Sequence, residues 1–314
     1  MSVSTENRIP LWREILKSSA LINKDNSGHF RVLSILFILP FLSTLIVYPS
    51  FHLDLFHPDY DFTILTQISL SIFEIIALIM CTLFLVLFFL CAIATITYSA
   101  VQASYGRPIN LFSSIKSIRN SFIPLLSTFI VSHTILISIT LIFAIVLFLL
   151  SQILQTFVLI ELKYDLNHLL FLVIFALIVL VPILLWLQVN WSLAYVVAVV
   201  ESKQGYETLR RSAYLVKGMR SIALSMILFY GLAVGGMVVG GCMFLITITT
   251  SRSKGDQRSI LVIFQILQSS IMGYVMMNQF IVGNAMLYMY CKDLNDEKLP
   301  FDIGDNESSY LNMV

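Results

Sequence analysis

The segment LLFLVIFALIVLVPILLWLQVNWSLAYVVAVV, residues 169–200, decides the fold: it holds no Asp, Glu, Lys, Arg or His. A second segment, SILVIFQILQSSIMGYVMMNQFIVGNAMLYMYC at residues 259–291, is equally free of them. A bilayer core takes about 20 apolar residues per helix. Backbone in lipid must satisfy its own hydrogen bonds, so uncharged runs of this length are read as spanning helices. Outward from these two, four more apolar stretches bring the expected spans to 32–48, 68–98, 122–150, 169–189, 221–248 and 260–288. The first is the shortest and carries Pro40. The expected fold is an all-α polytopic membrane bundle of six transmembrane helices with in-plane cytosolic amphipathic helices.

Composition agrees. The chain is 58% hydrophobic and 12% charged, with a mean hydropathy of +0.89. Soluble domains carry about a quarter charged residues. Three parts follow: a head (1–31), a six-span membrane domain (32–291) and a polar tail (292–314). Neither end piece is long enough to bury a core of its own.

Orientation follows from the Lys and Arg count. The head holds Arg8, Arg13, Lys17, Lys24 and Arg31, and the second loop Arg107, Lys116 and Arg119. The fourth loop adds Lys203, Arg210, Arg211, Lys217 and Arg220, and the tail adds Lys292 and Lys298. Against these 15 cations the other side has 4: Lys163, Arg252, Lys254 and Arg258. The bias puts both termini in the cytosol. The first outer loop agrees, with Asp54, Asp59 and Asp61 and no cation.

The cytosolic pieces carry their own periodicity. In the head, Pro10 precedes Leu11, Trp12, Ile15, Leu16 and Ile22 on one face, opposite Arg13, Glu14 and Lys17. Pro suits the first helical turn. Such a helix either lies in the membrane interface or packs on the spans. The fourth loop, ESKQGYETLRRSAYLVKGMR, puts Tyr206, Leu209, Ala213 and Val216 at helical spacing. The second loop looks like a degenerate copy of it, with Gly106 over Gly205 and Ser113 over Ser212.

Few residues carry possible chemistry. Glu74 is the one acid inside an expected span and His133 the one histidine. An intramembrane carboxylate is costly, so it is a structural hydrogen-bonding group or a proton or ligand site. Gln188, Asn190 and Trp191 close the fourth span, and Gln265, Gln268, Asn278 and Gln279 line the sixth. Polar groups in spans hold helices together or line a ligand or transport path. Gly231 and Gly235, and Gly236 and Gly240, form two small-xxx-small pairs that suit close helix contact, internal or between protomers. Cys81, Cys91, Cys242 and Cys291 show no disulfide or zinc spacing; palmitoylation of Cys291 is a second reading beside a free thiol. No catalytic, cofactor, metal or nucleic-acid motif is present.

Two segments resemble known families. LWREILKSSALINKDNSGHFRVLSILFILPFL, residues 11–42, is similar to the opening of a plant-type family of six-span membrane proteins. WSLAYVVAVVESKQGYETLRRSAYLVKG, residues 191–218, resembles a pattern shared with bacterial membrane regions of the glycerophosphodiester-phosphodiesterase membrane-domain type. The matching positions are Trp191, Leu193, Ala194, Glu201, Gly205, Leu209, Ser212, Leu215, Lys217 and Gly218. The resemblance implies a membrane module without the hydrolase domain. On this pattern Gly205 breaks the chain as it leaves the bilayer, Glu201 pairs with Arg211, and Gly218 ends the in-plane helix. The expected function is a non-catalytic protein of the endoplasmic reticulum or secretory pathway that organises membrane partners or binds lipid. The alternatives are a carrier of a small or apolar molecule and a membrane enzyme that uses Glu74.

Overall fold

A computed structural model describes residues 8–52, 72–157, 166–250 and 255–295. Among them the regular elements are all helices: α1 (Arg8–Asp25), α2 (Ser27–Leu33), a π turn (Ser34–Ile38), α3 (Leu39–His52), α4 (Ile72–Ser104), α5 (Leu111–Phe157), α6 (Leu166–Asn190), α7 (Ala194–Val200), α8 (Tyr206–Val216), α9 (Arg220–Thr250) and α10 (Gly255–Leu294). The outer loop with Asp54, Asp59 and Asp61 lies outside the described residues, as do Lys163, Arg252, Lys254 and Lys298.

Five helical stretches are long and apolar enough to cross a membrane: Ser27–Val47, Ile75–Ser104, Leu111–Gln152, Ile174–Val200 and Arg220–Phe244. Many of their large apolar side chains face outward, among them Ile79, Leu83, Ile137, Ile142, Ile178 and Leu232. Exposed apolar surface on this scale marks contact with lipid or a partner. α10 is a continuous helix of 40 residues. Its amides and serines, Gln265, Gln268, Ser269, Ser270, Asn278, Gln279 and Asn284, dilute its apolar character.

Three departures from the sequence reading are physical. The first candidate span starts at Ser27, and one π turn sits immediately before Pro40. Pro40 has no N–H to bond the preceding turn, and a widened turn absorbs that loss. The second loop does not hold a separate in-plane helix. After the turn at Gly106 (φ +67°), α5 runs 47 residues without interruption, through Pro124. At 1.5 Å per residue that is about 70 Å, more than twice a hydrocarbon core of ~30 Å. The fourth span is broken at Trp191–Leu193 and resumes as α7.

The chain forms two compact units, one of Met1–Phe122 with Ser225–Tyr290 and one of Ile123–Leu224 with Cys291–Val314. The first unit has its core around Ile15, Phe30, Leu42, Ile46, Leu90, Ile96 and Tyr288. Aromatic pairs join the first span to α4: Phe37 to Phe88 and Phe41 to Phe89, with ring centroids 6.4 and 5.6 Å apart. Ile15 of the head helix is fully buried while Arg13, Glu14 and Lys17 are exposed, so α1 packs on protein. The side chain of Trp12 lies outside the described residues.

Glycines set the closest helix approaches in this unit, but not those of the paired motif. Gly231, Gly235, Gly236 and Gly240 have no other atoms within 4 Å of a Cβ position. The tight positions are Gly241, Gly273 and Gly283, the last with a Cβ position 2.7 Å from Met226 Cε. A Cβ on Gly241 would lie 3.2 Å from Ser269 Oγ, and one on Gly273 would lie 2.9 Å from Leu42 Cδ1.

Candidate functional site

The second unit brings most of the motif residues together. A chain break inside a span frees backbone groups that lipid cannot satisfy. Here one hydroxyl satisfies two of them. Ser212 Oγ donates to the Asn190 carbonyl at 2.8 Å and accepts from the Leu193 N–H at 3.1 Å. Ser212 is fully buried on α8, so α8 is stitched across the α6–α7 break. Leu193, Ala194, Val197, Leu209, Leu215 and Val216 fill the space around it.

The buried face of α8 differs from the one its apolar spacing predicts. Thr208, Leu209, Ser212, Leu215 and Val216 are buried, whereas Tyr206 is 66% exposed. The hydroxyls explain the rotation. Thr208 bonds the Thr128 hydroxyl of α5 at 2.8 Å and donates to the Gly205 carbonyl. Bonds to protein groups favour turning Thr208 and Ser212 inward over the larger apolar Tyr206.

Gly205 takes φ +55°, and a Cβ there would lie 3.1 Å from Ser127 Oγ and 3.4 Å from Val131. Both the backbone and the close approach of α5 require glycine. Gly218 lies in the turn after α8 but does not take a left-handed conformation, so the helix ends without that cap. Ser202 takes φ +52° in its place as the strained non-glycine residue of this segment.

Glu201 pairs with Arg211, as the motif implied, through Arg211 Nε at 3.1 and 3.3 Å and Nη2 at 3.3 Å. The pair is the centre of a larger cluster. Lys203 Nζ stands 3.5 Å and Lys292 Nζ 3.9 Å from the same carboxylate. The Glu201 side chain is 9% exposed and that of Lys292 5%. The Arg211 guanidinium also lies 5.7 Å from the Tyr214 ring centroid. Sequence spacing gives no signal for Lys292, which arrives from the far end of the chain. Cys291 beside it is 1% exposed. Burial pushes its thiol up to about 12, which removes the accessible thiolate that acylation requires.

A recess of about 20 Å³ in this unit gathers His133, Gln188 and Trp191 with Thr128, Ser132 and Tyr195. It has room for a single water molecule. His133 hydrogen-bonds within its own helix. Its Nδ1–H donates to the Phe129 carbonyl at 2.9 Å, with its ring 3.9 Å from that of Phe129. Tyr195 hydrogen-bonds Ser132. Asn190 is buried; its Nδ2 donates to the Trp186 carbonyl at 2.7 Å.

The remaining candidates belong to the first unit. Glu74 falls on α4, and its side chain lies outside the described residues. Gln265 donates to Ser269 at 3.0 Å within α10. Gln268 is exposed, so the amides of α10 do not share one face. Asn278 donates to Asn23 of α1 at 3.0 Å and, with Gln279, lines a pocket. A constellation the sequence did not reveal joins His29, Ser99 and Ser114, with His29 Nε2 at 3.0 Å and 3.2 Å from the two hydroxyls. Ser99 and Ser114 are fully buried and also bond helix carbonyls, so the group ties α2, α4 and α5 together.

Helices of this length and apolarity, with internal polar groups bonded to backbone or to each other, define an integral multi-pass helical membrane protein. Within that class, the model of DUF8558, a domain of unknown function, matches residues 60–303, and the chain belongs to this family. No curated protein and no solved structure matches it.

Proposed function

We propose that the protein is a non-catalytic membrane module that organises or assists membrane partners or binds lipid, with α8 as its working surface. The supporting observation is the two-faced use of α8. One face is stitched into the broken span through Ser212 and Thr208. The other face presents Arg210, Tyr206 and Tyr214, followed by the exposed Lys217 in the next turn and Arg220 at the start of α9. Exposed tyrosines with cations suit the headgroup layer of an anionic leaflet.

In this reading α10 is a sixth span, both termini are cytosolic, and the protein resides in the endoplasmic reticulum or secretory pathway. The 15 to 4 cation bias supports the orientation. The resemblance of residues 11–42 and 191–218 to plant six-span proteins and to phosphodiesterase-associated membrane modules supports a module without an active site of its own. The exposed Gly231, Gly235, Gly236 and Gly240 offer a face for a partner helix or a second copy.

The test is reconstitution in nanodiscs of mixed phosphatidylcholine and phosphatidylglycerol. The proposal expects enrichment of the anionic lipid around the chain, reduced in Arg210→Gln/Lys217→Gln and by 0.5 M salt. Equal lipid ratios around both proteins would sink it.

A further inference from the structure

The first unit contains a polar pocket of about 130 Å³. Asn23 enters from α1, Ser27 and Arg31 from α2, Ser34 from the π turn, and Tyr274 and Asn278 from α10. Three atoms here are buried without a hydrogen-bond partner: Asn23 Nδ2, Ser34 Oγ and Asn278 Oδ1. Ser34 is fully buried and Asn278 is 9% exposed. The Asn278 to Asn23 bond, 3.0 Å long, uses one donor and one acceptor of the amide pair and leaves the other two over. A buried polar group without a partner is destabilising. Three around one cavity are a set of positions for something that bonds them.

The chemistry of that occupant follows from the donors. Arg31 stands exposed at the mouth, with Nε and Nη2 on the Ser27 carbonyl and hydroxyl at 3.1 and 3.3 Å. A guanidinium has five N–H groups, so three remain. With Asn23 Nδ2–H and Ser34 Oγ–H they form a donor set beside a fixed positive charge. Among the described residues no carboxylate lines the pocket. Such a set fits the oxygens of an anion, and guanidinium-assisted bonds to phosphate are among the strong ones. The left-over Asn278 Oδ1 is an acceptor for a hydroxyl carried beside the phosphate.

Position narrows the source. Ser27 opens the first candidate span, and Ser34 lies about 10 Å further along the helix. The headgroup layer of a leaflet is roughly 5–8 Å deep. The first span expected from the sequence begins at 32, which sets Arg31 and the mouth at its boundary with the headgroup layer. We propose that this pocket binds a phosphate ester that carries a hydroxyl-bearing group, delivered by a bilayer phospholipid or taken as the soluble ester. The proposal deepens the lipid-binding part of the function above and rests on the chain being in a membrane, but it uses a different surface.

The experiment titrates the full chain, purified in detergent, by native mass spectrometry. The probes are short-chain phosphatidylglycerol, the matching diacylglycerol and glycerol 3-phosphate. Phosphatidylglycerol should bind one to one, and diacylglycerol should not bind. Arg31→Gln should weaken binding at least tenfold. Ser34→Ala should weaken it several-fold while raising the melting temperature of the ligand-free chain, because it removes an unpaired buried hydroxyl. Binding by glycerol 3-phosphate with the same response to both variants supports the site and assigns it a soluble ester. Binding that Arg31→Gln leaves unchanged overturns it, as does failure of both phosphate probes, which leaves ordered water only. Arg210→Gln/Lys217→Gln keeps the two readings apart. One-to-one binding that survives there, with nanodisc enrichment absent from the unaltered chain, sinks the α8 surface alone. Enrichment without one-to-one binding sinks the pocket alone.

Discussion

Glu201 is a carboxylate among three cations, and this asymmetry decides what its loss does. Glu201→Gln leaves Arg211, Lys203 and the buried Lys292 without their shared counter-charge. Arg211→Gln leaves Glu201 with two lysines still beside it. Breaking a buried pair by removing one partner costs about 3–5 kcal/mol. Glu201→Gln should therefore lower stability in detergent by about 3 kcal/mol and Arg211→Gln by about 1–2 kcal/mol, the double change being less than additive. Thermal unfolding of the four proteins measures this, and equal losses in the two single variants would contradict the hub geometry. Cys291 gives a second prediction at this scale. A thiol pushed up to about 12 and 1% exposed has a thiolate fraction near pH 8 on the order of one in ten thousand. Cys291 should resist maleimide in the folded chain and react after denaturation, read by mass shift. The sign is simple: raising the pH toward 12 populates the thiolate, and lowering it does not.

At the scale of elements, glycines show why a motif is not a contact. Gly231, Gly235, Gly236 and Gly240 have the spacing of a packing face, yet no other atoms stand within 4 Å of their Cβ positions. Gly273 stands four residues after Ser269, a small pair outside the α9 motif, and a Cβ there would lie 2.9 Å from Leu42. Gly273→Val should cost about 1–3 kcal/mol by overpacking. Gly235→Val should stay within about 0.5 kcal/mol in the monomer. The measurement is detergent melting at low protein concentration. A reversal of the two would show α9 packed through the motif face. The α6–α7 break belongs to the same scale. Pro182 lies inside α6, but the chain breaks at Trp191–Leu193, where Ser212 receives the freed groups.

For the whole molecule, the decisive quantity is the number of crossings. Six spans put both termini on one side, and five put them on opposite sides. α10 has the length to cross but carries six side-chain amides, more than any of the other long helices. Its Asn278 and Gln265 bond within the protein, which lowers the cost of burying amides in a bilayer. Terminal tags on sealed microsomes should both be digested by external protease. Protection of one tag alone would mean that α10 does not cross.

The sequence by itself determined the membrane class, the helical content and the approximate place of five spans. These depend on length and apolarity summed over twenty or more residues, and a sum survives local errors. It also determined the Glu201–Arg211 pair, which is local: ten residues across one turn. The tertiary structure decided what depends on distant residues. Lys292 joins Glu201 from 91 positions away, and Asn278 meets Asn23 across 255. The buried face of α8 was decided the same way, because apolar spacing favoured Tyr206 while the freed backbone of a neighbouring break drew Ser212 inward and the Thr128 hydroxyl of α5 drew Thr208. Hydrophobic patterns record which residues avoid water. They do not record which hydroxyl meets an orphaned carbonyl, since that depends on where another helix happens to break.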